Sequence, residues 1–128
     1  MCLAHSPEET RRFKETHKND KWITVYKIVR IEGKKLKSIW YNKKWRKNWN
    51  HSERQSTKLT KIEKLSNRIN YGFHVYTNKP AQGTNDGRAI LPLLTKLKYL
   101  VSYNNGVAVF SKLKLTKENR KLARSPSA

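Results

Sequence analysis

"KWITVYKIVRI", residues 21–31, carries the strongest strand signal in the chain, being rich in β-branched and aromatic residues that suit an extended, pleated backbone. Alternation puts Ile23, Val25, Val29 and Ile31 on one face and Trp22, Tyr26 and Ile28 on the other. Apolar side chains on both faces predict a central strand covered on both sides. "EGKK" (32–35) then supplies a turn with Gly33 free to take positive φ, and "LKSIWY" (36–41) reads as the returning strand. Asn105-Gly106 is a two-residue hairpin signal between runs rich in Val, Tyr and Phe, so residues 97–115 form a second hairpin. "GFHVYT" (72–77) adds a short strand. "RAILPLLTKL" (88–97) stays open, because Pro92 interrupts its apolar run: either a helix starts near Pro92 or the piece is extended.

Two helices have start signals. Residues 6–17 open with Ser6 as cap, Pro7 in the first turn and Glu9 placed for a capping box, with Phe13 as their one large apolar residue. Residues 59–69 place Leu59, Ile62, Leu65 and Ile69 at helical spacing behind a Thr60–Glu63 capping box. The stretch 42–58 is polar and reads as a long loop, and loops of that length are usually functional or mobile. The fold class is therefore α+β: residues 1–115 form a single domain with a largely antiparallel sheet of about five strands and two or three helices. Residues 116–128 read as a basic, disordered tail.

The chain has 128 residues, enough for one modest core, and only 36% of them are hydrophobic. Four Trp, six Tyr and three Phe supply part of the missing apolar volume. Charge is more distinctive: 29 Lys and Arg against 9 Asp and Glu give +20 and a pI near 10.3. An excess of that size repels itself and attracts polyanions through counterion release. Nucleic acid is the first expected partner, an anionic membrane surface the second and an acidic protein the third. Cys2 is the single cysteine, so neither an internal disulfide nor a Cys-based zinc site is expected. No apolar run has the ~18 residues of a membrane span, and the N-terminus lacks a secretory pattern. The expected setting is a reducing cytosol or nucleus-like space.

"IWYNKKWRKNWN" (39–50) holds three of the four tryptophans together with Lys43, Lys44, Arg46 and Lys47 and no acid. Single-strand binders combine these chemistries, aromatic faces stacking on bases while cations follow the backbone. Tyr41, Trp45 and Trp49 also fall at i, i+4 and i+8, so a helix here would carry one aromatic stripe. Against this stands the ordinary fate of tryptophan in a core short of aliphatic volume. Trp40 is expected in the core and at least one of Trp45 and Trp49 half-buried. The nucleic-acid-binding candidates are Lys43, Lys44, Trp45, Arg46, Lys47, Trp49 and Arg54.

A second candidate pocket gathers Arg54, His74 and Cys2. His74 lies within a strand, on the face opposite Phe73 and Val75, where it is either a partner-facing group or a hydrogen-bonded, half-buried one. Cys2 becomes an N-terminal nucleophile if Met1 is removed. The four histidines lie far apart and the nine acids are scattered, so no metal, no cofactor and no clustered carboxylates for a metal-dependent nuclease are expected. No phosphate-binding glycine loop or nucleophile elbow is present.

The order "MCL", "ITVYK", "NWNHSERQST", "GFHVY" and "VAVFSKLKL" resembles a group of small uncharacterised proteins of tailed phages and related viruses, over roughly residues 1–115. The resemblance implies a viral accessory protein working in a host cytoplasm, and marks Trp49, Asn50, Arg54, Gly72 and His74 as residues to test together. It departs from the group's pattern at Asn48, where a turn glycine is expected. The leading expectation is a non-catalytic protein that binds RNA or single-stranded DNA mainly through phosphates. The alternatives are a small enzyme or nucleotide-ligand binder with a cleft around His74 and Arg54, and a binder of an acidic host protein.

Overall fold

The computed structural model describes residues 3–32, 35–38, 45–54, 56–80 and 88–124. Among them the chain runs β1 (Leu3–Ala4), α1 (Pro7–His17), β2 (Ile23–Glu32), β3 (Lys35–Ser38), β4 (Asn48–His51), α2 (Lys61–Ser66), β5 (Arg68–Ile69), β6 (Phe73–Tyr76), β7 (Arg88–Thr95), a 3-10 turn (Leu97–Tyr99), β8 (Leu100–Asn104), β9 (Val107–Phe110), β10 (Lys112–Leu115) and α3 (Lys117–Arg124). The α+β class is as expected. The strands are more numerous than five because several are only two to four residues long and lie in segments whose composition is polar.

The main sheet has the order β4-β10-β7-β2-β6-β9-β8, with β3 attached beside β2, and β1 pairs with β5 in a separate two-stranded piece. Every pairing is antiparallel. Phe110 ends β9 and Lys112 begins β10, yet β7, β2 and β6 lie between those two strands in the sheet. A chain that crosses in one residue can do so only if the sheet curls on itself. Ser111 makes the crossing: its N–H donates to the Tyr99 carbonyl, and its carbonyl accepts from the Ser52 N–H and hydroxyl.

Inside the curl lie Ile23, Val25 and Val29 of β2, Leu91 and Leu93 of β7, Phe73 and Val75 of β6, Phe110 of β9, and Leu113 and Leu115 of β10, closed by Phe13 and Trp45. The opposite side of β8 and β9 holds a smaller cluster of Leu3, Ile69, Val101 and Val109 beneath β1 and β5. The long β2 occupies the centre, as its residues demand. Its second face is only half covered: Tyr26 and Ile28 are partly exposed and Thr24 is exposed. β7 resolves the ambiguity at Pro92 in favour of extended chain. Pro92 pairs with Tyr26 of β2, while the β10 ladder on the other edge of β7 is confined to Lys114 and Leu94. A residue without an N–H is tolerated where pairing is one-sided.

Both N-caps form, but the capping box expected at Glu9 does not, because its carboxylate accepts from the Asn105 N–H. The Ser6 hydroxyl accepts from the Glu9 N–H, and Thr60 with Glu63 completes a reciprocal capping box. The hairpin turn places Asn105 at φ 48° and Gly106 at φ 83°, the left-handed pair that Asn-Gly favours. The apolar stripe read on α2 is corrected. Leu59 and Ile69 pack on the small cluster, whereas Ile62 and Leu65 are exposed and Glu63 points inward. Residues 117–124, read as a disordered tail, are α3, which lies along β7. Trp40 and Gly33 fall outside the described residues.

Lys27 occupies an inward position of β2 between Val25 and Val29, with its ammonium donating to the His74 carbonyl at 2.8 Å. Burial lowers its pKa from 10.5 to about 8, since desolvation penalises the charged form. Between these values the unfolded chain holds a proton that the folded chain has released, so stability rises with pH across that window. Urea titrations from pH 8 to 10.5 are expected to show a gain of about 3 kcal/mol attributable to this amine. Lys27→Met should remove that gain and be the more stable protein at pH 7.

Candidate nucleic-acid interface

β4 interrupts the segment read as a loop and sets the candidate site. Asn48 takes φ 82°, a conformation that asparagine tolerates better than other non-glycine residues, so it performs the turn for which a glycine was expected. The buried Asn50 then closes the bend. Its side-chain oxygen accepts from the Arg46 N–H at 3.0 Å, and its amide donates to the carbonyls of Arg46 (2.9 Å) and Asn48 (3.3 Å). With Asn50 turned inward, strand alternation sends Trp49 and His51 to the outside. β10 pairs Lys114 with Trp49 and Lys112 with His51, and its K-L-K-L pattern puts both lysines outside while Leu113 and Leu115 enter the core.

The other half of the site comes from the ends of β2 and β7. Ile23 pairs with Thr95, so Trp22 and Lys96 follow next to each other. The Trp22 and Trp49 ring centroids are 6.0 Å apart, and Trp49 meets Tyr99 edge-on at 5.4 Å. Lysine ammoniums border this half-buried cluster: Lys96 and Lys114 lie 4.8 and 5.0 Å from the Trp22 centroid, and Lys98 and Lys112 each lie 5.1 Å from that of Tyr99. Each contact is a weak cation–π attraction at a wet surface. Among the described residues none of these four lysines has a carboxylate partner.

Several of the described acids are engaged elsewhere. On and after α1, Glu8 pairs with Arg12, Glu15 with Lys18, and Asp20 with His17. Glu9 accepts from the Asn105 N–H and Glu53 from the Gly72 N–H. Four like charges held on three aromatic rings, with no salt bridge to a carboxylate among the described residues, repel one another. The arrangement presents π faces beside cations, the chemistry of a surface that takes bases and phosphates together.

The expected site residues separate sharply. Trp49 is in the cluster, and Arg46 and Lys47 are exposed on the approach to β4. Lys43 and Lys44 lie outside the described residues. Trp45 is removed from the interface: it is fully buried against Phe73, 5.1 Å between ring centroids. The physical reason is that residues 48–51 form a strand, so the aromatic stripe that a helix would have presented does not exist.

Arg54 is corrected too, because all five of its N–H donors are used. Nε donates to the Ser56 carbonyl, Nη1 to Glu63 (2.6 Å) and the Tyr71 carbonyl, and Nη2 to Glu63 (2.7 Å) and the Lys58 carbonyl. The buried, bidentate guanidinium holds the Glu63 carboxyl below the usual carboxylate range.

His74 is buried across from Val109, its Nε2 3.0 Å from the Ile69 carbonyl and its Nδ1 3.3 Å from that of Gly72. Burial pushes its pKa below that of a free imidazole, and a neutral ring donates to only one of the two carbonyls. Arg54 and His74 thus grip the same turn, 69–72, from its backbone. Gly72 is obligatory there: φ is 116°, and a Cβ would stand 2.6 Å from Val109 Cγ1. Cys2 lies outside the described residues. A groove of about 360 Å³ beside α1, lined by residues including Glu9, Arg12, His17 and Tyr103, contains neither Arg54 nor His74.

Trp22, Tyr99 and the lysines at 96, 98, 112 and 114 were not singled out from the sequence. Their one signal is the triplet Lys-Leu-Lys at 96–98 and 112–114, which also occurs at 35–37 on β3, away from the site. Among the described residues no group of three or more His, Cys, Asp or Glu is placed to hold a metal, and no helix is long and apolar enough to cross a membrane. The chain matches no family model, and no curated protein or solved structure is similar to it.

Proposed function

We propose that the protein binds single-stranded nucleic acid, without catalysis, on the Trp22–Trp49–Tyr99 surface. The observation that supports this most is the set of four lysines, at 96, 98, 112 and 114, without a carboxylate partner among the described residues and placed around half-exposed rings. The lysines take phosphates and Trp49 offers a stacking face, with Arg46 and Lys47 extending the basic path. The resemblance to phage and viral proteins sets this in an infected host cytoplasm as an accessory role.

Titration with an unstructured oligopyrimidine is expected to quench tryptophan fluorescence. Trp49→Ala should weaken binding by about 5- to 160-fold, the worth of one stacked base, yet leave binding to inorganic polyphosphate unchanged. Equal affinity of wild type and Trp49→Ala for the oligonucleotide would overturn stacking and favour a partner recognised by charge alone, such as an acidic host protein.

A further inference from the structure

The large hydrophobic residues most exposed among the described ones are Ile62 at 75%, Leu65 at 81% and Tyr71 at 60%; Ile62 and Leu65 share a face of α2, and Arg54 ties the Tyr71 carbonyl to Glu63 of that helix. Their exposure follows from the ion pair beneath them. Arg54 draws Glu63 into the interior, which turns the Ile62 and Leu65 side of α2 outward. The helix stops at Asn67, whose φ of 58° ends it before a further apolar turn can cover the pair. Around them Lys58, Lys61, Lys64 and Arg68 are exposed, and Glu63 is the only acid between residues 54 and 80. The result is an apolar knob with four exposed cations on its rim, the Glu63 carboxylate turned away and the Glu53 carboxylate taken up by the Gly72 N–H.

Charge complementarity and protrusion select the occupant. A second copy would set Lys61, Lys64 and Arg68 against themselves on a chain of +20. A protein partner must offer a preformed apolar pocket to two side chains that project this far, whereas lipid headgroups part to admit them. Shallow insertion of aliphatic side chains combined with a polybasic rim is the two-signal requirement of peripheral membrane binding. We propose that α2 and the turn at Tyr71 form a shallow anchor for an anionic lipid bilayer, separate from the Trp49 surface.

Flotation of the full chain with phosphatidylcholine vesicles, with and without phosphatidylserine, tests this. Wild type is expected to float with the phosphatidylserine vesicles only. Ile62→Ser/Leu65→Ser replaces exposed residues and leaves every charge in place. It is expected to partition at least ~10-fold more weakly while keeping its far-UV spectrum and its oligonucleotide affinity. Equal flotation of the double variant would overturn the proposal, because binding would then be charge alone. So would failure of the wild type to float. A wild-type dimer in sedimentation velocity without lipid, converted to monomer by the same substitutions, would overturn it in favour of self-association.

Discussion

Arg54→Ala is expected to produce the largest loss of stability of any single charged-residue substitution in the protein, about 3–5 kcal/mol. The pair with Glu63 is nearly closed to solvent, its side chains only 5% and 6% exposed. Removing the guanidinium leaves a carboxylate buried and unpaired. It also frees the carbonyls of Ser56, Lys58 and Tyr71 that the guanidinium satisfied. For a domain whose total stability is on the order of 5–15 kcal/mol, such a loss brings the fold near its limit at room temperature. Glu63→Gln should cost less, since the neutral amide keeps the shape and one acceptor. The wild-type pair is also acid-labile. Glu63 has a folded pKa below its unfolded value, so its contribution is complete above about pH 4.5 and is lost as pH falls toward the folded pKa. Urea melts of the three proteins at neutral pH and in acid check both statements; Arg54→Ala as stable as wild type would contradict them.

The second large effect concerns binding. Lys112→Glu/Lys114→Glu reverses two charges that face Trp49, Trp22 and Tyr99 while leaving Leu113 and Leu115 in the core. Oligonucleotide affinity at low salt is expected to fall by at least ~100-fold, because two attractive phosphate contacts become repulsive. A control reversal on and just after α1, Lys14→Glu/Lys18→Glu, produces the same net charge away from the aromatic cluster. Its effect should be several-fold smaller, and equal losses in the two variants would mean that net charge rather than this surface governs binding.

Much of the fold was legible because its signals are local. The period-2 run at 21–31, the Asn105-Gly106 turn, and the Ser6 and Thr60 caps each carry their conformation in adjacent residues. α2 shows where local signals stop. Leu59, Ile62, Leu65 and Ile69 fit a helical stripe, but one buried ion pair from Arg54 outweighs that pattern and sets the helix the other way round. β4 was hidden for a similar reason: "NWNH" lacks strand composition and is held by pairing with β10 and by the Asn50 bend.

The site was only partly legible. Trp49 was found, but it could not be told from Trp45, because their spacing of four puts them together only on a helix. Trp22 and the Lys-Leu-Lys triplets at 96–98 and 112–114 meet because β2, β7 and β10 are neighbours in the sheet, and Ser111 brings Tyr99 to them, contacts that no stretch of sequence contains. Arg54 was read as a phosphate ligand because guanidinium chemistry fits one, and only its five occupied donors show otherwise.

The central claim rests on four lysines acting through phosphate contacts at one surface. The most direct test is the salt dependence of oligonucleotide affinity for wild type and for Lys96→Ala/Lys98→Ala/Lys112→Ala/Lys114→Ala. Each phosphate neutralised on a single strand contributes about 0.7 to the slope of log K against log salt, so the quadruple variant should be shallower by about 3. An unchanged slope, with affinity intact, would contradict the account.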